Sequence, residues 1–200
     1  MNAVPKAYYI INKPANMVSQ FVSSHNVVLL GDLDFTFPEG IHAIGRLDNH
    51  SEGLLILTTD KSVTKKLFQG KVPHSRTYLV QVRKTITEET LQSLRDGISI
   101  LIKGGVYYTT TSCNVSSVSN PESYITLPDN VTEYEPSSWV LISLTEGKFH
   151  QVRKMVDAVG HRCKRLIRVS IEDLTLGDLQ PGEVKEIEEK EFFRLLKIEN

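Results

Sequence analysis

Long apolar runs are missing from this chain. Its strongest apolar stretches, Leu54 to Leu57 and Trp139 to Ile142, fall far short of the roughly 20 residues that a membrane-spanning helix needs. Nothing near the start resembles a signal peptide, and none is expected, since Tyr8-Tyr9-Ile10-Ile11 is strand-like and stops at Asn12-Lys13-Pro14. Cysteine is scarce: Cys113 and Cys163 form neither a CxxC pair nor a disulfide framework. Together these absences point to a reduced, cytoplasmic compartment. No repeat or low-complexity tract occurs, and no linker divides the 200 residues. A single domain over residues 1–200 is therefore expected, long enough to bury a real core.

A large net charge is also lacking. The formal balance is −1, which by itself speaks against a polyanionic partner. The distribution speaks for one. Residues 61 to 84 carry Lys61, Lys65, Lys66, Lys71, Arg76, Arg83 and Lys84 and no acid. Residues 148 to 168 carry Lys148, Arg153, Lys154, Arg162, Lys164, Arg165 and Arg168 against Asp157 alone. Residues 172 to 191 reverse the sign, with eight Asp or Glu against two Lys. Binding to a polyanion follows the local field rather than the sum, although ordinary solvated faces give similar runs.

What is present reads as α+β. Ala7 to Ile11 suggests a strand. Asp60 looks like the N-cap of a short helix with apolar positions Val63, Leu67 and Phe68, ended by Gly70. Tyr78 to Val82 alternates as a strand, and Thr87-Glu88-Glu89 opens a helix carrying Leu91 and Leu94 and ending at Gly97. Residues 98 to 145 are β-rich, with turns expected at Gly104-Gly105, Asn120-Pro121 and Pro128-Asp129-Asn130. A helix follows from about Phe149 to Val159, closed by Gly160. Strands around Ile167 to Ile171 and Val184 to Ile187 complete a largely antiparallel sheet.

Two stretches hold candidate chemistry. In Gly45-Arg46-Leu47-Asp48 a carboxylate stands between two strand-like segments, Ile41 to Ile44 and Leu54 to Leu57. Asp48 is either a turn former that accepts backbone N–H groups or a nucleophile held at a strand end. In residues 145 to 161, Phe149, Val152, Met155, Val156 and Val159 share one helical face that should pack on the core. Arg153 lies on the flank of that face, where a partly buried guanidinium needs an anion. Asp157, one turn away, is the local candidate and Asp48 the distant one.

The order of motifs carries a resemblance. Gly45 to Asp48 is followed by Ser51-Glu52-Gly53-Leu54-Leu55, Arg76-Thr77-Tyr78, Glu146-Gly147-Lys148-Phe149-His150-Gln151-Val152-Arg153-Lys154-Met155, Gly160-His161 and Arg165-Leu166-Ile167-Arg168. In this order and spacing the chain resembles the ribosomal pseudouridine synthases over nearly its whole length. It looks most like the short RsuA-type branch without the N-terminal S4 domain. The Ser51-Glu52-Gly53 form and Gln20-Phe21 are similar to members acting on large-subunit rRNA.

The resemblance implies a mixed, largely antiparallel sheet flanked by short helices, with an active-site cleft across the sheet. It implies Asp48 as the catalytic aspartate, Tyr78 as the aromatic that stacks on a flipped-out base, and Arg153 as the partner of the aspartate. RNA contacts are expected from Arg46, Arg76, Lys148, His150, Gln151, Lys154, Leu166 and Arg168, with Leu166 also a hydrophobic wall for the base. The implied partner is ribosomal RNA (23S, at a structured loop or stem end), bound by a monomer without a membrane. Making pseudouridine breaks an N-glycosidic bond and rejoins the uracil through its carbon 5. That isomerisation needs an ionised carboxylate and a held base, but no metal or organic cofactor.

By pattern alone Tyr78 also fits a core position in its strand, and Arg153 fits an i,i+4 pair with Asp157. His150 and His161 lack further ligands at metal spacing. Arg76 stands where many relatives have Lys, and Lys148-Phe149 replaces a commoner Arg-Asn pair. Two other functions compete. A glycoside hydrolase would use Asp48 and Glu52 as paired carboxylates, and a non-catalytic rRNA-binding or ribosome assembly factor would use the fold without the reaction.

Overall fold

The computed structural model describes residues 6–70, 72–127 and 135–199. Lys71 of the first basic run and the turn expected at Pro128-Asp129-Asn130 lie outside them. The chain folds as two compact units, Met1–His74 with Ser170–Asn200, and Ser75–Val169. No composition change marks either boundary. One falls beside Ser75 and the other inside a strand, so the sequence carries no linker signal there. Among the described residues, no helix is long and apolar enough to cross a membrane.

In the first unit, the apolar segments Tyr8–Lys13 (β1) and Glu52–Thr58 (β3) pair antiparallel. β3 also pairs with His42–Ile44 (β2), and β1 with Val184–Glu186 near the C-terminus. Residues 8–13 are buried throughout, and so is β3 from Gly53 onward. Such strands lose the alternation that a half-exposed strand shows. Each fully buried Leu or Ile contributes about 1.5–3 kcal/mol. The helices are Ser62–Phe68 (α1) and, later in the chain, Glu189–Leu196. The latter seats Phe192 and Phe193 against the Tyr8 ring, at centroid distances of 4.6 and 5.6 Å. Residues 20–40 have no regular strand or α-helix, yet Tyr9, Phe21, Phe35 and Phe37 clasp them through ring contacts of 4.8–6.5 Å.

Two details differ from expectation here. Lys61, in helical conformation, precedes α1. The Asp60 carboxylate works from one residue further back, taking the Ser62 N–H at 2.9 Å together with the Lys6 ammonium at 2.9 Å. Asn12 and Lys13 do not end β1 but belong to it, and Lys13 is fully buried.

The second unit centres on Arg76–Arg83 (β4), paired antiparallel with Ser137–Leu144 (β8), which in turn pairs with Asn114–Val118 (β7). On the other side of β4 runs the long strand Cys163–Ile171 (numbered β9 in chain order), whose last two residues belong to the first unit. The helix Glu88–Asp96 (α2) begins as expected, with Thr87 Oγ1 accepting the Thr90 N–H at 3.3 Å. It ends at Gly97, whose φ is 100° and where an added Cβ would fall 2.3 Å from the Thr110 carbonyl oxygen. A separate two-stranded hairpin, Ser99–Ile102 (β5) and Val106–Thr109 (β6), follows. The core gathers Val80, Leu94, Ile100, Ile142, Met155 and Val156 among others.

The helix expected from Phe149 starts later, as Gln151–Ala158 (α3). His150 adopts the left-handed region at φ 55°, which breaks the helical run in front of Gln151. Phe149 therefore leaves the helical face and is 67% exposed instead of packing on the core. Val152, Met155 and Val156 keep the buried positions expected of them.

Candidate active site

Asp48 lies in the short loop from β2 to β3, half-buried, with Arg46 exposed beside it and Glu52 half-buried at the start of β3. Several hydrogen bonds fix the loop's backbone. Leu47 donates its N–H to Ser19 Oγ (3.0 Å), while the Ser19 hydroxyl donates to the Leu47 carbonyl (2.8 Å). The Asn16 N–H donates to the Asn49 carbonyl at 2.9 Å, and the Ser51 N–H closes the turn on the Asp48 carbonyl at 3.0 Å. Lys13 Nζ donates to the carbonyls of Pro14 and Met17, both at 2.7 Å, and to that of Asn49 at 3.3 Å. An ammonium at zero exposure is tolerated because such bonds replace its water. Gly45 is required at the loop entrance: its φ is 60°, and a Cβ there would come within 2.5 Å of the Phe68 ring.

In the second unit Tyr78 sits in β4 opposite Ile142, half-buried and packed against the core cluster. Arg168, 2% exposed on β9, hydrogen-bonds the Tyr78 side chain. Burial pulls the pKa of this guanidinium below its ordinary value, and Tyr78 opposes the shift. This position departs from the expected RNA contact, because a side chain so enclosed does not present itself to phosphate. Gln151 departs likewise. It is 5% exposed, its amide donating to Glu146 (2.8 Å) and accepting the Lys148 N–H (2.8 Å). Burial works to raise the Glu146 carboxyl, but hydrogen bonds from the Tyr108 hydroxyl, the Thr111 N–H and Gln151 hold its pKa below the usual range. Leu166, 5% exposed, packs within the core cluster.

Arg153 is half-buried on α3, with a guanidinium nitrogen 3.5 Å from Cys163 Sγ. Burial raises the Cys163 thiol pKa and Arg153 counters it. The local alternative for Arg153 does not form: among the described residues Asp157 is exposed and makes no ion pair with it. Lys148 is exposed with Nζ 4.6 Å from the Tyr108 ring, Lys154 is 5.6 Å from the Phe149 ring, and Arg76 and His150 are half-buried. His161 turns inward, its ring nitrogen 2.9 Å from the Arg83 carbonyl. Arg46, Asp48 and Glu52 thus belong to the first unit, and every other candidate to the second.

Lys13, Ser19 and Glu146 carry supporting roles that sequence reasoning did not assign. The one available signal was a lysine ending a run of strand-forming residues, Tyr8 to Lys13.

Residues 7–158 match the family model for RNA pseudouridylate synthase. The chain is 37% identical to the ribosomal large subunit pseudouridine synthase E of Vibrio parahaemolyticus over 180 residues, 90% of this chain and 73% of that protein. The enzyme of the same name from Xanthomonas campestris is 35% identical over 179 residues, 87% of this chain and 91% of its own. A solved crystal structure of a pseudouridylate synthase superposes with a TM-score of 0.75 at 25% identity, covering 96% of this chain and 74% of that one. The fold is α+β with a mostly antiparallel sheet flanked by short helices, as expected. The chain belongs to the RNA pseudouridylate synthase family, enzymes that isomerise uridine in RNA to pseudouridine. The glycoside hydrolase reading of Asp48 with Glu52 is thereby set aside.

Proposed function

We propose that this protein converts one uridine of large-subunit (23S) ribosomal RNA to pseudouridine, with Asp48 as the reacting carboxylate. The observation that carries the reading is the clamped loop. Leu47 and Asn49 are fixed by Ser19, Asn16 and Lys13, so the carboxylate between them works from a preorganised backbone. The large-subunit enzymes at 35–37% identity support the choice of RNA, as do Ser51-Glu52-Gly53 and Gln20-Phe21, while the order of motifs along the chain supports the short RsuA-type branch.

In this reading the bond from the ribose carbon 1′ to uracil N1 breaks, with Asp48 attacking the sugar or assisting elimination there. The freed uracil stays stacked on Tyr78 while it turns, and carbon 5 bonds to carbon 1′. Carbon 5 gives up its proton and N1 gains one, so the product is an isomer and no co-reactant is consumed. Arg153 is assigned to keep Asp48 ionised, because a dehydrated carboxylate without a cation becomes protonated. Arg168 positions the Tyr78 hydroxyl, Gln151 shapes the turn before α3, and Leu166 contributes a hydrophobic wall. Arg46, Arg76, Lys148, His150 and Lys154 meet the RNA backbone. The enzyme acts as a cytoplasmic monomer.

The test is pseudouridine formation on a large-subunit rRNA transcript by the wild-type protein and by Asp48→Asn. Wild-type turnover with less than a few per cent remaining in the variant is expected, while RNA affinity changes little because phosphate contacts dominate it. Turnover by Asp48→Asn near the wild-type level overturns the assignment. A wild-type protein that binds the transcript without modifying it would make this a non-catalytic factor.

A further inference from the structure

The β5–β6 hairpin alternates in burial. Ile100, 2% exposed, and its partner Tyr108 face inward, where the Tyr108 hydroxyl is hydrogen-bonded to Glu146. The outward face pairs Leu101 with Tyr107, 49% and 74% exposed. A strand face turned to water normally carries polar side chains, so a tyrosine opposite a leucine there marks a contact surface. Phe149 extends it, stacked on His150 at 3.8 Å. Between β5 and α3 these residues line an open groove of about 860 Å³.

Its charge selects the occupant. Lys103 at the hairpin turn and Lys154 beside the Phe149 ring both line the groove, against Asp157 alone. Exposed aromatic faces interleaved with lysines suit single-stranded nucleic acid, whose bases stack while its phosphates meet the cations. A peptide extending the edge of β5 would use its main chain and leave the rings and lysines without a role.

We propose that this groove binds a single-stranded stretch of the substrate RNA outside the target nucleotide, with bases stacked on Tyr107 and Phe149 and phosphates held by Lys103 and Lys154. The inference rests on RNA being the substrate. It extends the RNA contact already assigned to Lys154 into a region away from the target nucleotide, built from residues that take no part in the reaction.

The test uses the full chain and two readouts: fluorescence anisotropy of a labelled single-stranded uridine octamer, and kcat/KM on the large-subunit rRNA transcript. Tyr107→Ala and Phe149→Ala should each weaken octamer binding roughly tenfold, the scale of losing one base–aromatic stack, and should lower kcat/KM in parallel. Tyr107→Phe keeps the ring and should bind like wild type. Lys103→Glu should flatten the logarithmic salt dependence by ~0.7, as expected for one lost single-strand phosphate contact. Thermal melting should not move, since these side chains are exposed. Octamer affinities within twofold of wild type for both alanine variants overturn the proposal, as does Tyr107→Phe binding as weakly as Tyr107→Ala. If the wild-type protein leaves the transcript unmodified, the substrate reading fails, while the octamer series still decides the groove.

Discussion

The loop carrying Asp48 has its main-chain atoms gripped by side chains from elsewhere in its unit, whereas the β5–β6 hairpin in the other unit offers side chains to solvent. Around Asp48, Ser19 and Lys13 reach backbone groups at 2.7–3.3 Å, and Leu47 is buried. On the hairpin, Tyr107 and Leu101 stand out from a separate two-stranded sheet. A reacting carboxylate must return to one position within a fraction of an ångström. A surface that receives flexible single-stranded RNA gains more from rings and long cations that adjust. Rigidity and adaptability are thus allotted to different units of one chain.

Substitutions can break this contrast, beginning with the largest effect. Asp48→Asn should lower turnover by more than about a hundredfold with the fold intact, the loss expected when the reacting group is removed. Glu52→Gln at the start of β3 should keep most of the activity. Single-turnover assays on the same transcript decide between them, and equal losses would revive a paired-carboxylate mechanism. Lys13→Met, which leaves three carbonyls without their shared ammonium, should cost about 3 kcal/mol of stability in urea titrations. A cost below about 1 kcal/mol would mean the loop is held without it.

Arg153→Lys keeps a cation but loses the planar fork. It should cut kcat at least about tenfold, the lower range for removing a positioned charged group. Asp157→Asn should be nearly silent, since Asp157 is exposed on α3, where a helix-surface pair is worth only about 0.2–0.5 kcal/mol. The reverse ranking in steady-state kinetics would make Arg153 a structural helix residue.

A smaller effect sharpens the picture of the first unit. Burial acts to raise the Asp60 pKa, but the Lys6 ammonium and the Ser62 N–H outweigh it and hold the value at about 2. The folded value lies below the ordinary 3.8, so its stabilisation is present in full above pH about 4 and fades as pH falls toward about 2. Asp60→Asn should therefore lower stability by about 2 kcal/mol at neutral pH, with the gap to wild type closing in acid. A gap that stays constant with pH would assign the loss to packing.

Much of the fold is legible where the signal is local. β1 and β3 follow from apolar runs, and α2 from Thr87 at one end and Gly97 at the other. Phe149 misleads because the helical period continues through it in sequence, while the left-handed backbone of His150 has no sequence signature as a glycine would have. Arg168 reads as a surface cation within a basic run, and only the fold buries it against the Tyr78 side chain. The clasp of residues 20–40 by Tyr9 depends on pairings between distant rings, which spacing along the chain does not encode. Within the candidate site, the strand–turn–strand setting of Asp48 is readable. The bonds that fix it come from residues 28 and 36 positions away, beyond any local pattern.

The buried ammonium of Lys13 also governs how the loop fluctuates. A surface loop ordinarily frays at little cost, and its amides exchange with solvent far faster than those of the core. Here, lifting Asn49 away would strip a carbonyl from a cation embedded at the end of β1, so small excursions are penalised by the desolvated charge itself. The amides of Leu47 and Ser51 should then be tied to the opening of the strand that carries Lys13, and hydrogen exchange in the loop is expected to follow the slow breathing of the core.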